Sequence, residues 1–229
     1  MPKIILFDLD GTLSDPKQGI TKSVQYALAK MDIHEPDTDK LDDFIGPPLH
    51  VSFAGKYAFD DAQTQRAIGF YRERFKEKGM FENELYPGIR ALLTSLQNNG
   101  FSLVTATSKP TVFAEAILAY FEIDQYFDPI VGSHLDGTRS SKAEIITFIM
   151  ETYTDHTRDD FIMIGDRKYD IIGANTAGIE SFAVTYGYGS EKELRDASPS
   201  LIVHTVEELK QTLEADLPAK ADTRVLGEK

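Results

Sequence analysis

The chain has 229 residues, 41% of them hydrophobic, and carries a formal net charge of −13. It can therefore bury a sizeable core, but its charge repels phosphate backbones and anionic lipids, which excludes nucleic-acid or membrane partners held by charge neutralisation. It has no cysteine, which excludes disulfides, thiolate metal sites and cysteine nucleophiles. No apolar stretch approaches the roughly 20 residues of a membrane span, so we expect a cytoplasmic protein.

The first strand-like segment is the apolar run at residues 4–7, which ends at Asp8. A run without polar residues is typical of a strand buried on both faces, as in a parallel sheet. Helical spacing of apolar residues follows in three segments, at 20–31, 48–57 and 61–78. From Pro87 to residue 213, strand-like and helical segments alternate, which predicts a sheet with helices on both faces.

This order of elements predicts an α/β fold. We expect a doubly wound (Rossmann-like) parallel-sheet core, with a small all-helical cap domain inserted after the first strand. The predicted boundaries are 1–14 and 86–216 for the core, 15–85 for the cap domain and 217–229 for a flexible tail. Linkers between core and cap are expected near 13–17 and 83–87.

Two carboxylates, Asp8 and Asp10, follow the first predicted strand, at the edge of the sheet where open α/β folds bind their ligands. Residues i and i+2 of an extended backbone point to the same side, so both can share one pocket. Gly11 then allows a tight turn close to a ligand. Such crowding is costly unless a cation or a proton separates the charges. The alternative is an ordinary turn, which Asp and Gly also favour.

Thr107 and Ser108 follow a second predicted strand and precede a helix. Hydroxyls and backbone N–H groups at the start of a helix suit phosphate oxygens. An ordinary helix cap, with Pro110 in the first turn, explains the same residues. Lys142 opens a later helix and, taken alone, is typical of a surface lysine. Lys109 can also approach a phosphate, but we favour Lys142 as the functional lysine.

Asp166 and Asp170 lie just beyond a third strong strand candidate, at 161–164. Asp166 is a candidate metal ligand. Asp170 either supports the site from behind the ligands or is simply an acid in the first turn of a helix. The five histidines are scattered without ligand spacing, which argues against a zinc site.

These elements, taken in order, resemble the haloacid dehalogenase superfamily and specifically its phosphatase branch. The matching signatures are Asp8-Leu-Asp-Gly-Thr12, Thr107-Ser108, Lys142, and Gly165-Asp166 with Asp170. Three further segments look like the phosphoglycolate phosphatase-like group: Phe44-Ile-Gly-Pro-Pro48, Tyr86-Pro-Gly88 and Tyr186-Gly-Tyr-Gly189. The resemblance covers the chain to about residue 213.

The resemblance implies a mechanism. Asp8 would attack phosphorus to give an aspartyl-phosphate, and Asp10 would protonate the leaving alcohol and later deprotonate the attacking water. Phosphate would be held by Thr107, Ser108 and Lys142. Mg²⁺ would be held by the Asp8 side chain, the Asp10 backbone carbonyl and Asp166.

The expected function is Mg²⁺-dependent hydrolysis of a small phosphorylated metabolite, such as phosphoglycolate or a nucleoside 5′-monophosphate, by a monomer or homodimer. A sugar phosphomutase of the β-phosphoglucomutase kind or a pyrophosphatase would keep the same acids. Asp10 separates the phosphatases from the dehalogenases, which lack this second acid. A non-catalytic phosphate-binding regulatory module on the same fold is the alternative from another class.

Overall fold

The structure is a computed structural model that describes residues 4–215, so the predicted tail at 217–229 lies outside the described residues. The strands are β1 (Ile4–Phe7), β2 (Ser14–Asp15), β3 (Glu84–Leu85), β4 (Ser102–Pro110), β5 (Ile130–Ser133), β6 (Phe161–Gly165), β7 (Glu180–Val184) and β8 (Leu201–Val203). The helices are α1 (Lys17–Lys30), α2 (Leu49–Tyr57), α3 (Asp61–Glu77), α4 (Ile89–Asn98), α5 (Thr111–Tyr120), α6 (Lys142–Thr152), α7 (Lys168–Ala177), α8 (Glu191–Asp196) and α9 (Val206–Ala215).

The core is a six-stranded sheet in the order β5-β4-β1-β6-β7-β8, and every pair of neighbours runs parallel. The strand β1 lies near the centre, with Ile5 opposite Leu103 of β4 and Ile162 of β6. All four residues of β1 are buried, as its uninterrupted apolar sequence predicts. The chain winds outward from β1 in both directions, so the ends of β4, β1 and β6 form the switch point where such folds bind ligands.

Alternate side chains of the strands pack on opposite faces of the sheet. Ile5 and Ile162 belong to a cluster that includes residues of α4, α5 and α9, whereas Leu6 and Met163 belong to a cluster with α6 and α7. The doubly wound α/β prediction is therefore confirmed. None of the helices within residues 4–215 is long and apolar enough to cross a membrane.

The inserted segment is helical, as predicted, and α1 packs against α3. The chain enters and leaves it through β2 and β3, which pair antiparallel with Ser14 opposite Leu85. The sequence suggested only linkers here, because strands of two residues are too short to show an alternating pattern. The two crossings between core and cap therefore lie side by side. We refer to this pair of strands, β2 and β3, as the hinge.

Two local expectations differ from the structure. The strand β4 continues to Pro110, and α5 begins only at Thr111, so Thr107 and Ser108 are not the cap of a helix. The short helix α8, which begins after Ser190, was not predicted, because six residues carry too little periodicity.

Candidate active site

Four acids meet at the carboxyl edge of the sheet. Asp8 follows β1 directly, Asp10 lies two residues further, and Asp166 follows β6. Asp170 belongs to the first turn of α7. All four residues are buried, and none of them is more than 7% exposed. Parallel strands that end together therefore bring acids more than 150 residues apart into one site, as the sequence predicted for Asp8 and Asp166.

Lys142 lies between two of these acids. Its Nζ is 2.8 Å from Asp8 Oδ1 and 2.6 Å from Asp170 Oδ1, and it also donates to the Ala106 carbonyl at 2.8 Å. Burial alone would lower the pKa of Lys142, but the charges of Asp170 and Asp8 raise it. Lys142 is thus a buried ammonium rather than a surface lysine, and it fixes the Asp8 carboxylate in place.

The carboxylates of Asp8, Asp166 and Asp170 offer oxygens that lie within 4.8 Å of one another. Burial, reinforced by the charges of Asp170 and Asp8, raises the pKa of Asp166 well above its usual range. Burial also raises the pKa of Asp170, to about 6. One lysine does not balance three buried carboxylates, so the cluster has the hard oxygen donors and the excess negative charge that suit Mg²⁺.

Asp166 is held by groups from both directions along the chain. Its carboxylate accepts from the Thr12 hydroxyl at 3.3 Å and from the Tyr188 N–H at 2.7 Å. Gly11 has φ of +83°, and a Cβ atom at this position would overlap the Asp166 carboxylate. Glycine is therefore required at position 11 for two reasons: its positive φ and the close approach of the Asp166 carboxylate.

Asp10 has a different partner. Its Oδ2 is 2.8 Å from Nζ of Lys109, which is 8% exposed and also lies over the Phe75 ring of α3, 4.5 Å from the centroid. The sequence argument preferred Lys142 to Lys109, but the structure brings both lysines to the site. One feature of the sequence did indicate a role for Lys109. It lies two residues after Thr107, and this spacing puts both side chains on the same side of an extended strand.

Thr107 and Ser108 reach the same edge by the end of β4. The register between β4 and β5 shifts between Ala106 and Pro110, an irregularity that is common beside active sites. The Ser108 carbonyl accepts from the Ser133 hydroxyl at 2.9 Å, which fixes this irregular segment. Of the three predicted phosphate-binding residues, Thr107 and Ser108 line the cavity described next, whereas Lys142 is not among its lining residues.

A cavity of about 390 Å³ separates the core from the inserted helices. Its core side includes Asp8, Asp10, Thr107, Ser108 and Lys109. Its cap side is richer in apolar and aromatic residues, among them Ile20, Phe44, Pro47, Leu49, Ile68, Tyr71 and Phe75. Asp8 and Asp10 therefore lie at the wall of a partly open cavity that is large enough for a small organic molecule.

The segment at residues 44–48 forms part of the cap side and contacts the metal-site loop. Arg167, next to Asp166, donates from Nη1 to the Ile45 carbonyl and from Nε to Glu193 at 3.0 Å. Gly46 has φ of +103°, and a Cβ atom there would come within 2.8 Å of the Arg167 side chain. The cap is thus attached directly to the loop that carries Asp166.

The segment at residues 186–189 connects the same loop to the hinge. The Tyr186 hydroxyl donates to the Thr12 carbonyl at 3.1 Å, and the Tyr186 ring contacts Tyr86 edge-on, with centroids 5.0 Å apart. The Tyr188 hydroxyl donates to Asp15 of β2. Burial raises the pKa of Tyr188 above its usual range, and the hydrogen bond to Asp15 adds to this effect.

A doubly wound sheet with acids at its strand ends, beneath an inserted helical cap, defines a capped α/β enzyme of the phosphate-transferring kind. Residues 5–184 match the family of haloacid dehalogenase-like hydrolases, so the chain belongs to this family, and it is a phosphatase. It is 46% identical to a 5′-nucleotidase of Pseudomonas aeruginosa, over 92% of this chain and 95% of the relative.

Two other comparisons support the fold and the group. The crystal structure of a predicted phosphatase from Clostridium acetobutylicum superposes with a TM-score of 0.91 at 51% identity, covering 94% of this chain and 99% of that one. Phosphoglycolate phosphatase 1 of Pseudomonas aeruginosa is 26% identical over 91% of this chain and 79% of the relative. The resemblance to this superfamily, stated from the motifs, is confirmed.

Proposed function

We propose that the protein is a Mg²⁺-dependent phosphomonoesterase that transfers the phosphoryl group of its substrate to Asp8 and then to water. The observation that carries this proposal is the position of Asp8. Its carboxylate is buried, paired with Lys142 at 2.8 Å, within reach of the acid cluster and at the wall of the cavity. A nucleophile placed in this way divides one difficult displacement into two easier ones.

The residues of the cluster fit Mg²⁺ as the cofactor. Asp8 and Asp166, with the Asp10 backbone carbonyl, are the ligands we propose, and the closeness of Asp170 to the other two carboxylates supports a role beside them. Bound Mg²⁺ supplies positive charge that lets an anionic nucleophile approach an anionic phosphate.

The steps follow from the residues of the chain. An Asp8 oxygen forms a bond to phosphorus while the bond from phosphorus to the leaving oxygen breaks, and Asp10 donates a proton to that oxygen. Asp10 then takes a proton from a water molecule, which attacks phosphorus and releases Asp8 and inorganic phosphate. Thr107, Ser108 and Lys142 are the groups that we propose hold the phosphoryl oxygens. Acid–base assistance of this kind contributes about 10²- to 10⁴-fold.

The size of the cavity favours a nucleoside 5′-monophosphate among the candidate substrates. Phosphoglycolate has about 9 non-hydrogen atoms and a nucleoside monophosphate about 20 or more, and the volume of this cavity lies in the range of sites that bind drug-sized molecules. The aromatic residues of the cap side suit a flat base, and the activity named for the Pseudomonas aeruginosa 5′-nucleotidase agrees with this choice.

The test is phosphate release from nucleoside monophosphates, phosphoglycolate, sugar phosphates and pyrophosphate, with and without Mg²⁺. We expect Asp8→Asn to lower the rate by at least about 10³-fold. The matched control is Asp43→Asn, which changes a carboxylate whose side chain is 82% exposed. If sugar phosphate is isomerised without release of phosphate, the protein is a phosphomutase; release only from pyrophosphate makes it a pyrophosphatase.

A further inference from the structure

One stripe of α3 forms a long wall of the cavity. The residues that line it recur at three- and four-residue spacing: Asp61, Thr64, Gln65, Ile68, Tyr71, Arg72 and Phe75. Such spacing keeps side chains on one face of a helix. The stripe is polar near the start of the helix and apolar near its end, apart from Arg72. The face of α3 that lines the cavity is therefore polar at one end and mostly apolar at the other.

The end of α3 lies over the reacting groups. Phe75 contacts Lys109, which is paired with Asp10. Burial, with a smaller effect of the Asp10 charge, raises the pKa of Tyr71 well above its usual range, which agrees with a position close to that acid. A helix rises 1.5 Å per residue, so Arg72 lies roughly 5 Å along the axis from Phe75. Arg72 thus lies within one turn of the residue that contacts Lys109, and it lines the same cavity as Asp8 and Asp10.

Arg72 differs from the other cations of the site because it has no acid to neutralise it. Lys109 is paired with Asp10, and Lys142 with Asp8 and Asp170. Between residues 4 and 215, no carboxylate lies within ion-pair distance of Arg72. Its partial burial lowers the pKa of the guanidinium, although a net charge of −13 leaves acids in excess. The Arg72 guanidinium is therefore available to pair with an acceptor group of a molecule in the cavity.

We propose that Arg72 is a specificity-determining residue that binds acceptor oxygens on the leaving group of the substrate. A guanidinium has five N–H donors and no acceptor, so it selects a carboxylate or a ring carbonyl over an amine. Phosphoglycolate would supply a carboxylate, and an oxo-substituted nucleobase would supply a carbonyl. The inference deepens the proposed function and rests on it for the position of the phosphate.

The first experiment compares wild type, Arg72→Met and Arg66→Met in steady-state hydrolysis with Mg²⁺. Arg66 is an exposed arginine of the same helix that does not line the cavity, and it serves as the matched control. The substrates are phosphoglycolate, IMP, AMP and phenyl phosphate, whose leaving group has neither a carboxylate nor a ring carbonyl.

We expect Arg72→Met to lower kcat/KM for one acceptor-bearing substrate, relative to phenyl phosphate, by about 10- to 100-fold and mainly through KM. A selective loss on phosphoglycolate identifies the carboxylate as the partner, and a loss on IMP greater than on AMP identifies the ring carbonyl. Arg66→Met should keep the wild-type ratios. An equal loss on every substrate would show a structural role and overturn the inference.

A binding experiment separates this inference from the proposed function. Titration calorimetry with Mg²⁺ measures IMP and phosphoglycolate binding to Asp8→Asn and to the double variant Asp8→Asn/Arg72→Met. If wild type hydrolyses no substrate but the double variant binds about tenfold or more weakly, the proposed reaction fails and the role of Arg72 stands. Equal affinities, or no binding to either variant, overturn the inference whatever the hydrolysis shows.

Discussion

The two sides of the cavity are built differently. On the core side, Asp8, Asp10, Lys109 and Lys142 are buried and fixed by one another in ion pairs of 2.8 Å. On the cap side, Arg72 lines the cavity together with several apolar and aromatic side chains, and it has no acidic partner within the described chain. The ion pairs of the core side suit chemistry that every substrate shares. The cap side contacts that machinery through Phe75 and the Ile45 carbonyl, but its other lining residues can vary to suit different leaving groups. In the function we propose, the sheet would carry out the reaction and the inserted helices would select the substrate.

The largest expected effect is on the core side. Lys142→Met removes the only ammonium that contacts both Asp8 and Asp170 among the described residues, and it leaves two buried carboxylates uncompensated. We expect activity to fall by at least about 10³-fold and the free energy of unfolding without metal to fall by about 3–5 kcal/mol. Steady-state kinetics and urea unfolding measure the two effects. Lys168→Met, at an exposed lysine nearby, is the control. A modest loss of activity alone would show that the ion pairs are dispensable.

The next largest expected effect is an increase in the stability of the metal-free protein, produced by Asp166→Asn. The raised pKa of Asp166 means that the folded protein is penalised once this acid ionises. The penalty is absent below the ordinary carboxyl pKa of 3.8, grows as the pH rises, and is complete above the raised folded value. In EDTA at pH 7.5 the variant should therefore be more stable than wild type by about 1–2 kcal/mol.

The same variant separates charge relief from metal binding. The advantage of Asp166→Asn in EDTA should shrink as the pH is lowered towards 4. Mg²⁺ should stabilise wild type, by about 3 kcal/mol at one hundred times its dissociation constant, and should have little effect on the variant. Urea unfolding across pH, with and without Mg²⁺, tests this. A variant that Mg²⁺ stabilises as strongly as wild type would remove Asp166 from the ligand set.

The smallest expected effect belongs to the cap. Asp60 caps the N-terminus of α3, and its side chain accepts from the Gln63 N–H at 2.8 Å in a reciprocal capping box. Asp60→Ala should cost about 1 kcal/mol of stability while kcat stays within about twofold of wild type. Thermal unfolding and kinetics with one substrate check both values, with Asp155→Ala as a control at an exposed acid outside this helix. A loss of kcat close to that of Lys142→Met would contradict the proposed division of roles between the core side and the cap side.

The strand ends could be predicted because their signals are local. An apolar run followed by Asp8, and another followed by Asp166, identifies both the strands and the edge where they meet. Lys109 was undervalued because its partner, Asp10, lies about one hundred residues away in the chain, and no local pattern shows such a pair. The contact of Arg167 with the Ile45 carbonyl depends on how the cap rests on the core, so it too requires the structure.

Tyr188 has a thermodynamic consequence. Its backbone N–H donates to Asp166, and its hydroxyl donates to Asp15 in a hinge strand. If occupancy at Asp166 alters the preferred orientation of the hinge, the orientation of the hinge alters metal affinity by the same factor. A substrate that draws the helices inward would thereby raise the affinity for the ion, and departure of the product would lower it. With the proposed Mg²⁺, the affinity for the ion would then differ between the substrate-bound and the free enzyme.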